Sequence, residues 1–247
     1  MADLEWLIAR PVAHRGLHDA AKGVIENTPS AFAAAVAASY AIECDLQITA
    51  DGEAMVHHDE ALGRLTDASG RLDAMTSTEL RQVRFKATAD RMISLGELCN
   101  LVAGRVTLLI ELKRSRAGDD RLAARAAAVL SGYAGPAAVM SFDPAQVAPL
   151  RRHAPSLTRG LVAEGRSARP GADGWVKGLG RSVGYMQDVI EARPQFLAYS
   201  VQDLPGLLPR AAHVCSMPVL TWTVRTADDQ RRAARWADQM IFEGFRP

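Results

Sequence analysis

Short apolar runs alternate with helix-like segments along the whole chain, and this alternation constrains the fold more than any other feature. Nine runs have the character of β-strands: PVAHRG, AIECDLQIT, EAMVHHD, TLLIELK, AAVMSF, TRGLV, FLAYS, VLTWTV and QMIFEG. Most segments between them have helical periodicity, and two begin with a capping residue, Thr76 or Ser94, followed three positions later by a glutamate. Strands that alternate with helices form a parallel sheet covered by helices. The pattern therefore predicts an α/β protein.

The run EAMVHHD is the exception, because only a turn at Asp51-Gly52 separates it from the strand before it. A parallel connection needs a dozen or more residues, so this run must pair antiparallel as a hairpin extension. The eight other strands predict a single (β/α)8 TIM barrel over residues 1–247. Residues 60–92 then form an insertion after the second barrel strand. Residues 164–182, rich in glycine and arginine, are expected to form a mobile loop on the rim.

The hairpin also predicts which side chains share a face. With a two-residue turn, Asp45 lies opposite His58. Directly opposed residues, and residues two apart on one strand, point to the same side of a ribbon. We therefore expect Glu43, Asp45 and His58 on one face and His57 on the other.

Carboxylates gather where the second and third barrel strands end, and the active site of a barrel lies at this end of its strands. Glu43 and Asp45 belong to the second strand and Glu111 to the third. Three carboxylates suit a hard cation, Mg²⁺ or Ca²⁺, better than zinc, which prefers His and Cys ligands. We predict one divalent cation at this site.

Basic side chains and imidazoles accompany these acids. Arg15 and Lys113 add positive charge beside the cation site, which is how proteins hold a phosphoryl oxygen. His14 and His58 would lie on neighbouring walls, where they could act as base and acid on either side of a phosphorus atom. The expected ligand is a small anionic molecule. Trp222 fits either the core or a surface that packs on the substrate.

The ordered motifs of the chain resemble those of the glycerophosphodiester phosphodiesterase family, whose barrel has relatives among phosphoinositide phospholipases C. The matching segments run in order from about Pro11 to Val224: AHRG, ENT, the Glu-x-Asp of IECDLQIT, VHHDEALGRLT, ISLGELCNLVAG, LLIELK, SFDP and TWTV. HRG or HD alone would be a weak signal, whereas the ordered set is specific. The resemblance implies a metal-dependent hydrolase that converts glycerophosphodiesters to glycerol 3-phosphate and an alcohol.

The resemblance also implies residue roles. His14 and His58 would be the catalytic pair, and the substrate's own glycerol hydroxyl would attack phosphorus before water opens a cyclic phosphate. The implied metal ligands are Glu43, Asp45 and Glu111, and the implied phosphate contacts are Arg15 and Lys113. The last strand departs from the family pattern, because members generally carry Thr-Asp-x-Pro where this chain has IFEGFRP, with its acid at Glu243.

Other interpretations account for parts of the same pattern. The carboxylates could form a structural ion network with the two cations, and Glu26 could either precede a helix cap or belong to the site. Within enzymes, the alternatives are a phosphodiesterase acting on lysophospholipids or phosphoinositide-like diesters, and a sugar-phosphate isomerase. A phosphate-binding barrel without catalysis is a further class, although a pure binding protein has no need of an acid-base pair.

Composition excludes some partners and suggests a compartment. The chain has 29 basic and 28 acidic residues, a formal net charge of +1, so it has no large field for nucleic acid or anionic lipid. Its three cysteines have no disulfide or zinc-type spacing, which favours a reducing compartment. The first residues predict neither a signal peptide nor a membrane span. A cytoplasmic location is therefore expected, and the sequence does not predict an oligomeric state.

Overall fold

The computed structural model describes residues 4–165 and 188–247, and it contains a closed barrel of eight parallel strands with one extra antiparallel strand. All nine predicted strands are present. In chain order they are β1 (Val12–Ala13), β2 (Ala41–Ile48), β3 (Ala54–Val56), β4 (Leu108–Leu112), β5 (Ala137–Ser141), β6 (Thr158–Ala163), β7 (Phe196–Ser200), β8 (Val219–Val224) and β9 (Gln239–Phe242). The order β1-β9-β8-β7-β6-β5-β4-β2 closes through a β1–β2 pairing, and β3 pairs with the last residues of β2, beyond the part that pairs with β1. The predicted barrel with a hairpin extension is confirmed.

Most helices cover the outside of the barrel, whereas the first, Glu5–Ile8, packs through Leu7 against the interior layer. The described α-helices with defined bounds are Glu5–Ile8, Pro29–Ala37, Ser77–Gln82, Leu95–Val102, Arg121–Leu130, Pro144–Val147, Leu150–His153, Leu207–Val214 and Ala227–Trp236. Capping boxes open three of them, at Thr76, Ser94 and Thr226, where the cap hydroxyl accepts a backbone N–H and the acid three positions later returns the bond. The first two are the capping boxes that the sequence predicts.

Two apolar layers follow from the alternation of side chains along each strand. One layer, including Leu109, Met140 and Ile241, fills the barrel interior, and the other, including Cys44 and Ile110, packs between the strands and the helices. On β2 and β4 the barrel-facing positions are therefore odd-numbered. Leu109 belongs to the apolar layer inside the barrel. Glu111, two residues later on the same face of β4, therefore lies between that layer and the carboxyl end of the barrel.

The predicted register of the β2–β3 hairpin is wrong by one residue. Leu46 pairs with Val56, so Asp45 lies opposite His57, whose N–H donates to the Asp45 carbonyl at 3.0 Å. The turn contains three residues instead of two, because Thr49 N donates to the carbonyl of Glu53 across residues 50–52. A glycine in the left-handed region closes that turn, with φ of 80° at residue 52.

Residues 60–92 follow β3 and build a small apolar cluster of their own. Leu72, Leu80 and Met92 are its most buried members within this segment, and they pack with Met55 of the hairpin and Ile25. The segment is therefore anchored to the carboxyl end of the barrel by apolar contacts. The loop predicted at 164–182 lies mostly outside the described residues.

Candidate active site

Three acidic side chains converge at the carboxyl ends of β2 and β4. Asp45 pairs in register with Glu111 on the neighbouring strand, and Glu43 lies two residues earlier on the same face. One carboxylate oxygen from each of the three residues lies within 4.8 Å of the others, and all three residues are buried. This convergence is the predicted one, and its chemistry is that of a hard divalent cation site.

The charges of these carboxylates differ with their surroundings. Burial raises the pKa of Glu43 well above its ordinary value, and the nearby Asp45 and Glu111 raise it further. Burial also raises the pKa of Glu111, with Asp45 as the second cause. For Asp45, burial acts in the same direction, but the cations Lys113 and Arg15 outweigh it and lower the pKa. Asp45 is therefore ionised, whereas Glu43 and Glu111 hold their protons more readily than free glutamate, and a divalent cation bound among the three would favour their ionised forms.

Arg15 reaches the cluster because the chain turns sharply after β1. Arg15 and Gly16 both have left-handed backbones, with φ of 55° and 80°. A Cβ at position 16 would lie 2.9 Å from Ala31, so a glycine is required there for space as well as for conformation. The turn directs the Arg15 backbone N–H onto a Glu43 oxygen at 2.9 Å and its Nε to 3.3 Å from Asp45 Oδ2.

Lys113 supplies the second cation. Its Nζ lies 2.6 Å from Asp45 Oδ1 and also donates to Glu111 Oε1. The two acids raise the pKa of Lys113 to about 12, although burial opposes them. The residue is therefore a permanent cation at the edge of the acidic cluster.

His14 is held by an acid from the other end of the chain. Its Nδ1 lies 2.8 Å from Glu243 Oε2, and its Nε2 is 3.9 Å from Glu43 Oε2. The hydrogen bond to His14 lowers the pKa of Glu243 to about 2, so this carboxylate is ionised and can only accept. His14 consequently carries its proton on Nδ1 when neutral. Burial lowers its own pKa, despite the bond to Glu243.

His58 is held in a comparable way. Its Nδ1 lies 2.8 Å from Asp59 Oδ1, and Arg64 of the insertion donates from Nε to Asp59 Oδ2 at 2.5 Å. Burial raises the pKa of Asp59, but the bonds from Arg64 and His58 outweigh it and bring the value to about 2. Arg64 also donates to both oxygens of Glu26, at 2.7 and 3.2 Å, and Arg15 donates to Glu26 Oε1 at 2.7 Å. An unbroken series of ion pairs thus joins the surroundings of His58 to Asp45.

His57 and His58 have different environments, although the pairing argument that separated them fails. The strand β3 ends at Val56 and the backbone bends at His58, so side-chain alternation no longer applies beyond the strand. His58 lines the cavity above the acids, whereas His57 is 2% exposed and has a pKa lowered by burial.

A cavity of about 230 Å³ lies above the acidic cluster. Seven of its lining residues are those predicted for the site, namely His14, Arg15, Glu43, His58, Glu111, Lys113 and Trp222. Asp45, the remaining predicted residue, lies beneath them, 1% exposed. An apolar wall completes the cavity, consisting of Met140, Phe142, Val162, Trp222 and Ile241. Phe142 and Trp222 stack edge to face, with ring centroids 5.3 Å apart.

Unsatisfied donors point to a polar ligand in this cavity. Among the described residues, four buried side-chain atoms have no hydrogen-bond partner, and two of them, Arg15 Nε and Trp222 Nε1, belong to cavity-lining residues. The 3.3 Å approach of Arg15 Nε to Asp45 is close enough for an ion pair but lacks the directionality of a hydrogen bond. Buried polar atoms are normally satisfied, so both N–H groups are candidates for ligand contacts.

Five supporting residues were given no role by the sequence analysis, namely Asn27, Asp59, Arg64, Arg225 and Glu243. Asn27 is buried and donates from Nδ2 to Asp45 Oδ2 at 2.8 Å, and its left-handed backbone is one that asparagine tolerates. Arg64 and Arg225 bind the acids that hold the two histidines. Asn27 and Arg64 lie inside the ENT and VHHDEALGRLT motifs, so position within a motif was the available signal. Arg225 directly follows TWTV and carried no such signal.

The fold and these groups define a (β/α)8 barrel with a rim suited to a divalent cation and an anionic ligand. The model of the glycerophosphoryl diester phosphodiesterase family matches residues 14–244, which include every predicted site residue. The chain belongs to that family.

Relatives carry the same family name. A Mycobacterium tuberculosis protein named "Probable glycerophosphodiester phosphodiesterase 1" is 29% identical over 177 residues, which cover 62% of this chain and 64% of that protein. A glycerophosphodiester phosphodiesterase of Caldanaerobacter subterraneus is 34% identical over 110 residues, covering 41% of this chain and 44% of its own. The chain thus matches slightly under two thirds of the length of the mycobacterial relative.

Solved structures have the same fold. A crystal structure from Silicibacter pomeroyi DSS-3 has a TM-score of 0.75 and 27% identity, covering 97% of this chain and 93% of that one. An Oleispira antarctica phosphodiesterase, in complex with the product sn-glycerol-3-phosphate, has a TM-score of 0.77 and 18% identity, covering 94% of this chain and 91% of that one.

Within residues 4–165 and 188–247, no helix is long and apolar enough to cross a bilayer.

Proposed function

We propose that the protein hydrolyses glycerophosphodiesters to glycerol 3-phosphate and an alcohol in a metal-dependent reaction. One observation carries the proposal: two histidines, each bound to a carboxylate, line the same small cavity as the acidic cluster and the cationic side chains of Arg15 and Lys113. Family membership supports the reaction class. The Oleispira neighbour, which holds glycerol 3-phosphate, supports a small phosphorylated ligand.

Glu43, Asp45 and Glu111 would hold one divalent cation, Mg²⁺ or Ca²⁺. The donor set fits, because it consists of three carboxylates, two of which have pKa values that burial and mutual repulsion raise. A bound cation would supply charge neutralisation at the phosphoryl oxygens. Lys113 already contacts Asp45 and Glu111 and would complete the positive side of the site.

His14 and His58 would perform the proton transfers. In both residues Nδ1 is bonded to an ionised carboxylate, which leaves Nε2 as the nitrogen available to the substrate. One histidine would take the proton of the attacking glycerol hydroxyl, and the other would give a proton to the departing alcohol. The same two groups could then exchange roles when water opens the cyclic phosphate.

Arg15, Lys113 and Trp222 would bind the diester. The unsatisfied Nε of Arg15 is a donor for a phosphate oxygen, and the unsatisfied Nε1 of Trp222 is a donor for a phosphate or hydroxyl oxygen. Of the two interpretations of Trp222, core residue or ligand contact, its place in the cavity wall favours the second. Glu26, the other open case, contacts Arg15 and Arg64 instead of a helix N-terminus, which favours a role in orienting Arg15.

The volume of the cavity favours a small diester over a lysophospholipid. About 230 Å³ is below the range of roughly 300 to 1,000 Å³ that is usual for drug-sized ligands, so an acyl chain would have to extend into the adjoining recess of about 380 Å³, which shares His58, Glu111, Lys113 and Phe142 with the cavity. A reducing compartment such as the cytoplasm is also proposed, because all three cysteines are free and Cys44 and Cys99 are buried.

The test measures glycerol 3-phosphate released from glycerophosphocholine, glycerophosphoethanolamine and glycerophosphoglycerol, each with Mg²⁺, with Ca²⁺ and with a chelator. Release that requires a cation and ends with chelation is the expected result. Equal release with the chelator would refute the metal-dependent mechanism. A folded, cation-binding protein that releases nothing from these diesters but cleaves lysophosphatidylcholine would establish the lysolipid alternative, and cleavage of neither would support the non-catalytic barrel.

A further inference from the structure

Glu243 occupies the part of the sequence that departs from the family's usual ending, and it contacts two residues of the site. Its Oε2 lies 2.8 Å from His14 Nδ1, and the same oxygen accepts a hydrogen bond from Arg225 Nη2 at 2.8 Å. Arg225 is itself a lining residue of the cavity. The three residues therefore form a series in which an arginine binds an acid and the acid binds an imidazole.

We propose that Glu243 and Arg225 are a positioning pair for His14 that fixes the ring and its tautomer. The inference rests on the function proposed above. Glu243 accepts a hydrogen bond from His14 Nδ1–H, so the proton of the neutral ring stays on Nδ1 and Nε2 is left unprotonated and available to the substrate. Arg225 anchors the Glu243 carboxylate by the second bond to the same oxygen. Neither residue needs to touch the reacting atoms to have this effect.

The backbone around Glu243 is anchored on both neighbouring strands. The Glu243 N–H donates to the carbonyl of Val224 at 3.0 Å, and the carbonyl of Phe242 accepts from the His14 N–H, also at 3.0 Å. Glu243 and His14 thus extend from adjacent, hydrogen-bonded ends of β9 and β1, and Arg225 directly follows β8. A carboxylate mounted on such rigid elements can hold an imidazole more precisely than one on a free loop.

The same pattern occurs at the second histidine, with residues from another part of the chain. Asp59 binds His58 Nδ1, and Arg64 binds Asp59 through the oxygen that the histidine does not use. Each imidazole therefore has its own carboxylate and its own arginine. This repetition favours a role in orienting the rings over an incidental ion pair at the end of β9.

Arg225 could instead bind substrate directly, because its side chain is 54% exposed at the cavity. The two roles give different kinetics. A positioning residue changes kcat and loses its effect when its target is removed, whereas a substrate contact changes KM whether or not Glu243 is present.

The experiment compares Glu243→Gln, Glu243→Asp and Arg225→Gln in the full chain, using cation-dependent glycerol 3-phosphate release. In Glu243→Gln, a single uncharged amide oxygen would have to accept from both Arg225 Nη2 and His14 Nδ1–H, which weakens its hold on the imidazole ring and on the Nδ1–H tautomer. We expect kcat to fall roughly tenfold to a hundredfold with KM and cation requirement unchanged, and Glu243→Asp to restore part of the loss. Arg225→Gln should lower kcat less, and should add nothing to Glu243→Gln. The matched control is Glu53→Gln. This substitution also removes a carboxylate that binds an arginine, Arg125, but it lies away from the site.

Two further measurements separate a positioning role from a structural one. Adding Glu243→Gln to His14→Ala should cause no further loss of kcat, and the Nδ1–H signal of His14 in nitrogen-15 NMR should shift and broaden in Glu243→Gln alone, because the neutral oxygen accepts more weakly. A full additional loss in the His14→Ala background, or a Glu243→Gln protein with wild-type kcat and an unchanged His14 signal, would overturn the proposal. If Arg225→Gln raises KM both in the wild-type protein and in Glu243→Gln, Arg225 contacts the substrate and is not part of the positioning pair. Inactive wild-type protein would instead count against the proposed function, and the NMR comparison would still decide the inference.

Discussion

The carboxylate of Asp59 lies 2.8 Å from Nδ1 of His58, its immediate neighbour in the chain. Consecutive side chains on a strand point to opposite faces, so this contact requires the bend that follows β3. The bend brings His58 to the cavity and leaves His57 buried behind it. Two adjacent histidines therefore have separate environments, and mutagenesis can distinguish them.

His58→Ala and His14→Ala should each lower turnover by roughly a hundredfold or more, because each removes a proposed proton-transfer group. His57→Ala is the matched comparison, since the same residue type is removed one position away. It should reduce thermal stability through loss of buried volume and have little effect on kcat. The assay is glycerol 3-phosphate release at saturating cation. Wild-type turnover by either of the first two proteins would show that the residue does not transfer a proton.

Arg64→Met should lower kcat by roughly tenfold, because Asp59 and Glu26 would both lose the side chain that holds them. Arg71→Met is the control in the same segment, where an arginine also binds two acids, Glu60 and Asp73, but none that contacts a histidine of the site. Steady-state kinetics of the two proteins measure the difference. Equal losses would mean that the insertion acts only through its general stability.

Glu43→Gln and Asp45→Asn should have opposite effects on the stability of the metal-free protein. The pKa of Glu43 is raised above its ordinary 4.5, so above pH 4.5 the unfolded chain binds fewer protons and stability falls as pH rises. Glu43→Gln removes this cost and should stabilise the metal-free protein at pH 7.

The pKa of Asp45 is lowered below 3.8, so its contribution is fully present at pH 7 and is lost as pH falls below 3.8. Asp45→Asn leaves Lys113 and Arg15 without their shared acid and should cost about 3 kcal/mol. Denaturant unfolding in chelator, from pH 2 to pH 8, measures both changes. Destabilisation by both substitutions would show that Glu43 is ionised and paired without a cation.

Cation binding should raise the unfolding free energy by about 2.7 kcal/mol when the free cation is a hundredfold above its Kd. Glu111→Gln should reduce this gain, because one of three charged ligands becomes a neutral amide. Calorimetry with Mg²⁺, Ca²⁺ and chelator measures the gain, and Glu53→Gln serves as the control for loss of an acid elsewhere. An undiminished gain in Glu111→Gln would remove Glu111 from the ligand set.

The barrel could be predicted because its evidence is periodic and redundant. Nine apolar runs, their spacing and the capping boxes at Thr76 and Ser94 each contribute independently, so no single error changes the result. The convergence of Glu43, Asp45 and Glu111 followed from strand parity and from the rule that barrel sites lie at the carboxyl ends of strands.

The hairpin register and the supporting residues could not be predicted in the same way. Register depends on one residue of turn length, and the pattern around Asp51-Gly52 fits a two-residue turn as well as a three-residue one. The contacts of Arg64 and Arg225 depend on the conformations of long side chains and on which loops become neighbours, which neither periodicity nor composition encodes. The contact between His14 and Glu243 joins positions 229 residues apart.

That separation sets the order in which the site can be assembled during synthesis. The ribosome releases β2 and β4, with all three acids of the cluster, long before β9 emerges, and only pairing of β9 with β1 brings Glu243 to His14. A nascent chain can therefore contain all three acids of the cluster while His14 still lacks the carboxylate of Glu243. The onset of full turnover during synthesis would therefore mark the pairing of β9 with β1, which closes the barrel.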